Sequence, residues 1–197
     1  LAHSQSADAG YAAIFAHREH LKVVDENVAD GAKRATVDSS LRFARTFANH
    51  EEAPAVLVAA AEDLYAMTDF DGAIAAGRQL VDAHPLADVE LRRSAWSVVA
   101  HASFETARYV DAETGYTQVL SLTDEDDDLR PSLFDNLAAA IYKQGELAKE
   151  AADHRTAAEH FLRVGTSAPG SAIRASAEYD AATAFIELAL ALIHISE

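Results

Sequence analysis

The sequence predicts an all-α chain of stacked helix pairs, and three observations carry that prediction. Half of the 197 residues are hydrophobic and alanine dominates that half, while Gly and Pro number eight and four and aromatic residues reach only 8%. Such a balance suits close-packed helices better than sheets. A short pattern also returns three times: an acidic or polar turn, a bulky residue, an Ala, then an apolar stretch ending near Pro or Asp. Finally, the chain has no cysteine, so no disulfide framework, thiolate nucleophile or zinc-thiolate site competes with helix packing as the organising element.

From the N-terminus, Ala7 to about Val28 carries a helical pattern through Ile14, His17, Leu21 and Val24, and SSLRFARTFANH from Ser39 to His50 reads as a second helix. Residues 1–50 are therefore expected to form a divergent first pair. The repeated pattern follows, in TDFDGAIAAGRQLVDAHP (68–85), RYVDAETGYTQVLSLTD (108–124) and DHRTAAEHFLRVGTSAP (153–169). Aligned, these place Ala73, Ala112 and Ala157 together, then Gly77, Tyr116 and Phe161, then Leu80, Val119 and Val164. The i, i+4, i+7 spacing makes one apolar stripe, with the small Ala permitting close approach of a neighbouring helix. Pro85 and Pro169 stop their helices. Partner helices precede each copy and follow the last: Pro54–Met67, Leu91–Thr106, Pro131 to about Ala152, and Ser171–Leu188.

The partner helices carry Trp96, Val99 and Ala100 in one and Phe134, Leu137, Ala138 and Ile141 in another; with Tyr116 and the helix-stopping prolines, they resemble the tetratricopeptide-repeat family over roughly residues 39–188. The resemblance implies a right-handed superhelical solenoid of antiparallel helix pairs, about three and a half of them, with repeats over 51–189 and the last pair incomplete. The marker alanines are 39 and then 45 residues apart instead of the family's usual 34. Seven residues around LAKEAAD (147–153) fit as an extension of the third partner helix, because two added turns keep the stripe on one face. After FIEL, the ending ALALIHISE departs from the pattern, and LIHISE resembles a translated sequencing adapter, which makes 190–197 an expected non-native tail. Ala177, Ala181 and Ala184 are then expected to expose an apolar stripe.

The formal charge of −16 repels phosphate backbones and anionic lipid surfaces, so nucleic acid is not an expected partner. No apolar run reaches the roughly 18 to 20 residues that span a bilayer, so no membrane insertion is expected of this segment. His17 and His20 in HREH lie one turn apart but lack a third metal ligand, and the run 124–128, DEDDD, lacks the Gly turn and terminal Glu of a calcium loop. It reads instead as a helix-starting loop ahead of Pro131. No nucleophile elbow, phosphate loop or dinucleotide fingerprint is present, so no catalytic residue, cofactor or metal is assigned.

What remains is the concave face, which in the resembled family is lined by the partner helices. On this chain it maps to Glu62, Tyr65, Ser97, His101, Phe104, Asp135, Asn136, Tyr142, Lys143, Glu146 and Glu178. The implied function is a non-enzymatic scaffold that binds a protein or peptide there, with Tyr65, Phe104 and Tyr142 as anchors and the carboxylates favouring basic residues on the partner. The competing expectation for each aromatic is packing between helices. Other functions weighed are a structural spacer or oligomerisation array and a peptide-sensing domain of a regulator. A bacterial setting is expected, envelope or periplasm ahead of cytoplasm.

Overall fold

The computed structural model describes residues 2–23 and 25–195, within which there are nine helices and no strand. They are α1 (Ala2–Leu21), α2 (Glu26–Thr46), α3 (Ala53–Ala66), α4 (Phe70–Ala83), α5 (Val89–Glu105), α6 (Tyr109–Ser121), α7 (Arg130–Glu150), α8 (His154–Ser167) and α9 (Arg174–Ile195). Val24, Ser196 and Glu197, which the sequence pattern assigned to a helix and to the tail, lie outside the described residues. The chain divides into two compact units, 1–102 and 103–197, the boundary falling inside α5.

In the first unit α1 packs on α2, α2 on α3 and α3 on α4. Leu57 and Val58 of α3 meet Ala44 of α2, Leu80 of α4 and Ala95 of α5 in one apolar cluster. Val37, Ala61, Leu64, Ala73, Ala76 and Ala102 make a second, and Ile14, Phe43 and Val56 tie α1 into the unit. In the second unit α6, α7, α8 and α9 again pack in chain order. Their buried residues include Leu137 and Ile141 of α7, Phe161 and Val164 of α8, and Ala177, Ala181 and Ala184 of α9.

The three sequence repeats share one turn geometry. Thr68, Ala107 and Ala152 each adopt a left-handed conformation, with φ of 57°, 57° and 58°. After each, the next amide bonds back across the helix end: Asp69 to the Leu64 carbonyl at 2.9 Å, Arg108 to Ser103 at 2.8 Å, Asp153 to Ala148 at 2.9 Å. The left-handed residue bonds three back, to Tyr65, Phe104 and Lys149. This six-to-one and five-to-two pair is the Schellman closure, which satisfies carbonyls orphaned at a helix C-terminus. The next helix begins at once, and Asp69 and Asp153 cap it by accepting the amides of Gly72 and Thr156, each at 3.1 Å.

Several expectations need correction. The first pair is displaced: α1 ends at Leu21 and α2 starts at Glu26, well before Ser39; the buried stripe Thr36, Val37, Ser40 and Ala44 already begins ahead of Ser39, and the polar segment ENVADGAK continues its helix toward the N-terminus. Its end is Thr46, not His50; Phe47 leaves helical geometry and residues 47–52 turn into α3. As expected, α7 is long, at 21 residues against 14 for α3. Aligned on the left-handed residues, however, the extra seven lie at its N-terminal end, 130–136, not around 147–153. Ala177, Ala181 and Ala184 are buried at 0%, 1% and 0%; the exposed apolar side of α9 is the opposite one, with Tyr179, Ile186, Leu190 and Ile193. The helix runs on through the expected tail to Ile195.

Two glycines mark where helices come closest. A Cβ on Gly145 of α7 falls 2.6 Å from Cε1 of Phe161, and one on Gly77 of α4 falls 2.7 Å from Val99 Cγ2 and 3.0 Å from the Ala95 carbonyl oxygen. Gly145→Ala is expected to destabilise the chain by about 1 to 2 kcal/mol, since overpacking against an immobile ring outweighs the gain of about 1 kcal/mol in helix propensity. Adding Phe161→Leu is expected to restore part of that loss; urea unfolding of both variants measures it, and a neutral Gly145→Ala would contradict the contact. Ala152→Gly is expected to raise the urea midpoint, by a gain of up to about 1 kcal/mol in unfolding free energy, because it removes the Cβ penalty of a left-handed residue. An unchanged or lower midpoint would show that the turn carries no such penalty.

Candidate peptide-binding surface

The eleven residues expected to line a groove fall into two sets, one in each unit. In the first, Glu62 and Tyr65 stand on α3 and Ser97 and His101 on α5. The Tyr65 ring packs against Phe70 at 5.4 Å and edge-on to His101 at 6.4 Å, and it joins the apolar cluster around Leu64. Ser97 donates its hydroxyl to the Arg93 carbonyl at 2.9 Å, and His101 Nδ1 lies 2.7 Å from the Ser97 carbonyl oxygen. Glu62 is exposed and neighbours Asp63, which accepts from Arg18 of α1 at 3.3 Å. Desolvation raises both carboxyls above their ordinary range; the Asp63 charge adds to the rise at Glu62, while Arg18 opposes it at both.

The second set comprises Phe104 at the end of α5, Asp135, Asn136, Tyr142, Lys143 and Glu146 on α7, and Glu178 on α9. Phe104 stacks edge-on against Tyr109 at 5.3 Å, the same helix-to-helix ring contact that Tyr65 makes with Phe70 five residues on. Tyr142 packs on the buried Phe161 at 4.9 Å and donates its hydroxyl to Asp180 of α9. That bond, with burial and the Asp180 charge behind it, pushes the phenol up to about 12. Lys143 pairs with Glu146 at 2.6 Å, which holds its ammonium above the ordinary range, and Arg174 pairs with Glu178 at 2.8 Å. Asn136 is half-buried.

Asp135 has a different role from the one expected. Its Oδ1 accepts the Ser171 hydroxyl at 2.8 Å and the Ala172 amide at 3.0 Å, so it ties α7 to the turn that starts α9. Those two donors hold its carboxyl below the ordinary range.

Three features had no signature in the sequence. Asp180, the acceptor for Tyr142, is one of three acids on α9, and nothing in the local sequence sets it apart. Glu113 of α6 receives both Gln144 of α7, at 2.7 Å, and Arg163 of α8, and Arg163 also donates to His160 Nδ1 at 2.9 Å. This network joins three helices through residues up to 50 positions apart; burial first, then the Arg163 charge, lowers the His160 pKa. The third is a cleft of about 200 Å³ between α1 and α3, floored by Ile14 and Val56. Among the described residues, no three His, Asp or Glu side chains converge as a metal site would require, and no helix is long and apolar enough to cross a membrane.

The Tyr142 bond has a readable sign. A phenol raised above its usual value near 10 contributes stability that is complete below that value and lost as pH rises through about 12. Tyr142→Phe is expected to cost about 1 kcal/mol at neutral pH. In an ultraviolet titration of the six tyrosines, the same substitution is expected to delete one late step near pH 12; if the wild type and the variant show the same late steps, the assigned bond is absent. No protein-family model matches the chain, and no curated protein matches it.

Proposed function

We propose that this chain is a non-enzymatic scaffold of tetratricopeptide-like repeats, a superhelical solenoid that holds a peptide or protein segment along the faces of α3, α5, α7 and α9. The observation behind the reading is the threefold recurrence of one helix–turn–helix unit, with left-handed residues at 68, 107 and 152 and alanines five residues later at 73, 112 and 157. Repeats of this kind stack into extended surfaces that recognise by side chains varying over a fixed frame. The carboxylates Glu62, Glu146 and Glu178, within a chain of formal charge −16, favour a partner bearing Lys or Arg.

Tyr65, Phe104 and Tyr142 are engaged by neighbouring rings, so they serve such a surface as its walls, and the acids at its rim carry charge recognition. A second reading, a self-associating structural array, draws support from the solvent side of α9, where Tyr179, Ile186, Leu190 and Ile193 are 53–74% exposed. Light scattering across a concentration series separates the two.

The test of the first is fluorescence anisotropy of labelled peptides, basic, acidic and neutral, against the whole chain. Basic peptides are expected to bind, to weaken as salt rises, and to lose about tenfold or more on Glu146→Lys with Glu178→Lys. Failure of every peptide to bind, with mass growing with concentration, would replace this reading with the array.

A further inference from the structure

On α1, Tyr11, Phe15 and Arg18 follow one another at i, i+4, i+7 and share one face; on α3, Ala55, Ala59 and Glu62 do the same. The two stripes run side by side in the same direction, with Glu52 beside Tyr11 at one end and Asp63 paired to Arg18 at the other. Because α3 presents only alanines between those ends, nothing fills the space between the helices, and the cleft of about 200 Å³ results. That is the liquid share of roughly six or seven waters, enough for one large side chain. Its floor is apolar and packed: Ile14 and Val56 are 3% and 5% exposed and pack on Phe43. Phe15, at its rim, is 62% exposed.

The charge around the cleft is unbalanced. Arg18 makes its ion pair with Asp63, and the adjacent Glu62 and, at the far end, Glu52 make none among the described residues. An apolar slot with a carboxylate at either end selects a bulky apolar side chain with a cation next to it, because a buried methyl or ring gains from desolvation while an adjacent ammonium meets Glu62 or Glu52 at the rim. A second copy of the chain, itself strongly acidic, is the poorer occupant.

We infer that the α1–α3 cleft is a docking site for an extended peptide segment, seating a Leu- or Phe-sized side chain between Phe15 and Ala59 with a neighbouring Lys or Arg against Glu62. The inference rests on the scaffold reading above and adds to it a subsite, sharing Glu62 with that surface, with a stated sequence preference. It uses none of the aromatic anchors expected from the sequence.

The experiment uses the whole chain and three fluorescein-labelled hexapeptides: Ser-Gly-Leu-Lys-Gly-Ser, the same with Ser for Leu, and the same with Glu for Lys. The first is expected to bind at least tenfold more tightly than either of the others. Ala59→Leu, which fills the slot, and Phe15→Ser, which removes its rim, are expected to weaken it at least tenfold; Glu62→Gln is expected to erase the preference for Lys over Glu. Circular dichroism melts establish that each variant is folded, and Phe15, being exposed, supplies a variant that leaves the core untouched. If the Leu-Lys peptide binds wild type, Ala59→Leu and Phe15→Ser alike, the cleft is not the site although the scaffold reading stands. If it binds none of them while basic peptides bind elsewhere on the chain, the subsite is likewise refuted; if no peptide binds at all, both fall.

Discussion

The reversal of the chain at Thr68, Ala107 and Ala152 is the constraint on which the repeated architecture depends. A left-handed residue followed directly by the next helix leaves no slack: the outgoing helix starts two residues after each turn residue, at Phe70, Tyr109 and His154. Everything else in the repeat is a consequence. The alanines at 73, 112 and 157 lie five residues beyond each turn, where the two helices are still close, and all three are fully buried. Farther along the same stripe, Leu80, Val119 and Val164 are buried in turn. None of the three turn residues is glycine, so each reversal is held against the intrinsic preference of its own residue by the hydrogen bonds and packing around it.

The periodicity of alanine and bulky residues was enough to place seven of the helices to within a few residues at most ends, because in those segments the buried stripe and the turn chemistry agree. It failed where they did not. In α2 the first turns, ENVADGAK, have no apolar stripe of their own and are helical by continuation from the buried Thr36 and Val37. The insertion before Ala157 was assigned to the wrong end of α7 because sequence spacing fixes the length of an insertion and not its side; only the turn at Ala152 anchors the register. On α9, alanines occupy both sides, so composition alone does not say which faces inward.

The candidate surface was legible only in outline. Residue types on the partner helices named candidate positions, but pairings between helices are long-range and leave no local pattern: Asp135 with Ser171, Tyr142 with Asp180, Glu113 with Arg163. These contacts convert carboxylates that look available into structural acceptors. Glu62, exposed on α3 beside the Arg18–Asp63 pair, is known as such only once its neighbours are in place.

The glycine at 145 carries one more implication. Position for position, the three repeats place Gly77, Tyr116 and Phe161 at one site on the second helix, while Ala61, Ala100 and Gly145 occupy one site on the first. Bulk and emptiness are therefore traded between neighbouring helices: where α8 carries Phe161, Gly145 of its partner α7 leaves room for the ring, and where α4 carries Gly77, Val99 of the following helix α5 fills the gap. The repeats share a backbone plan but not an interface. A module lifted from one place and inserted at another would bring a ring with no socket or a socket with no ring, so the order of the repeats is written into the sizes of their side chains.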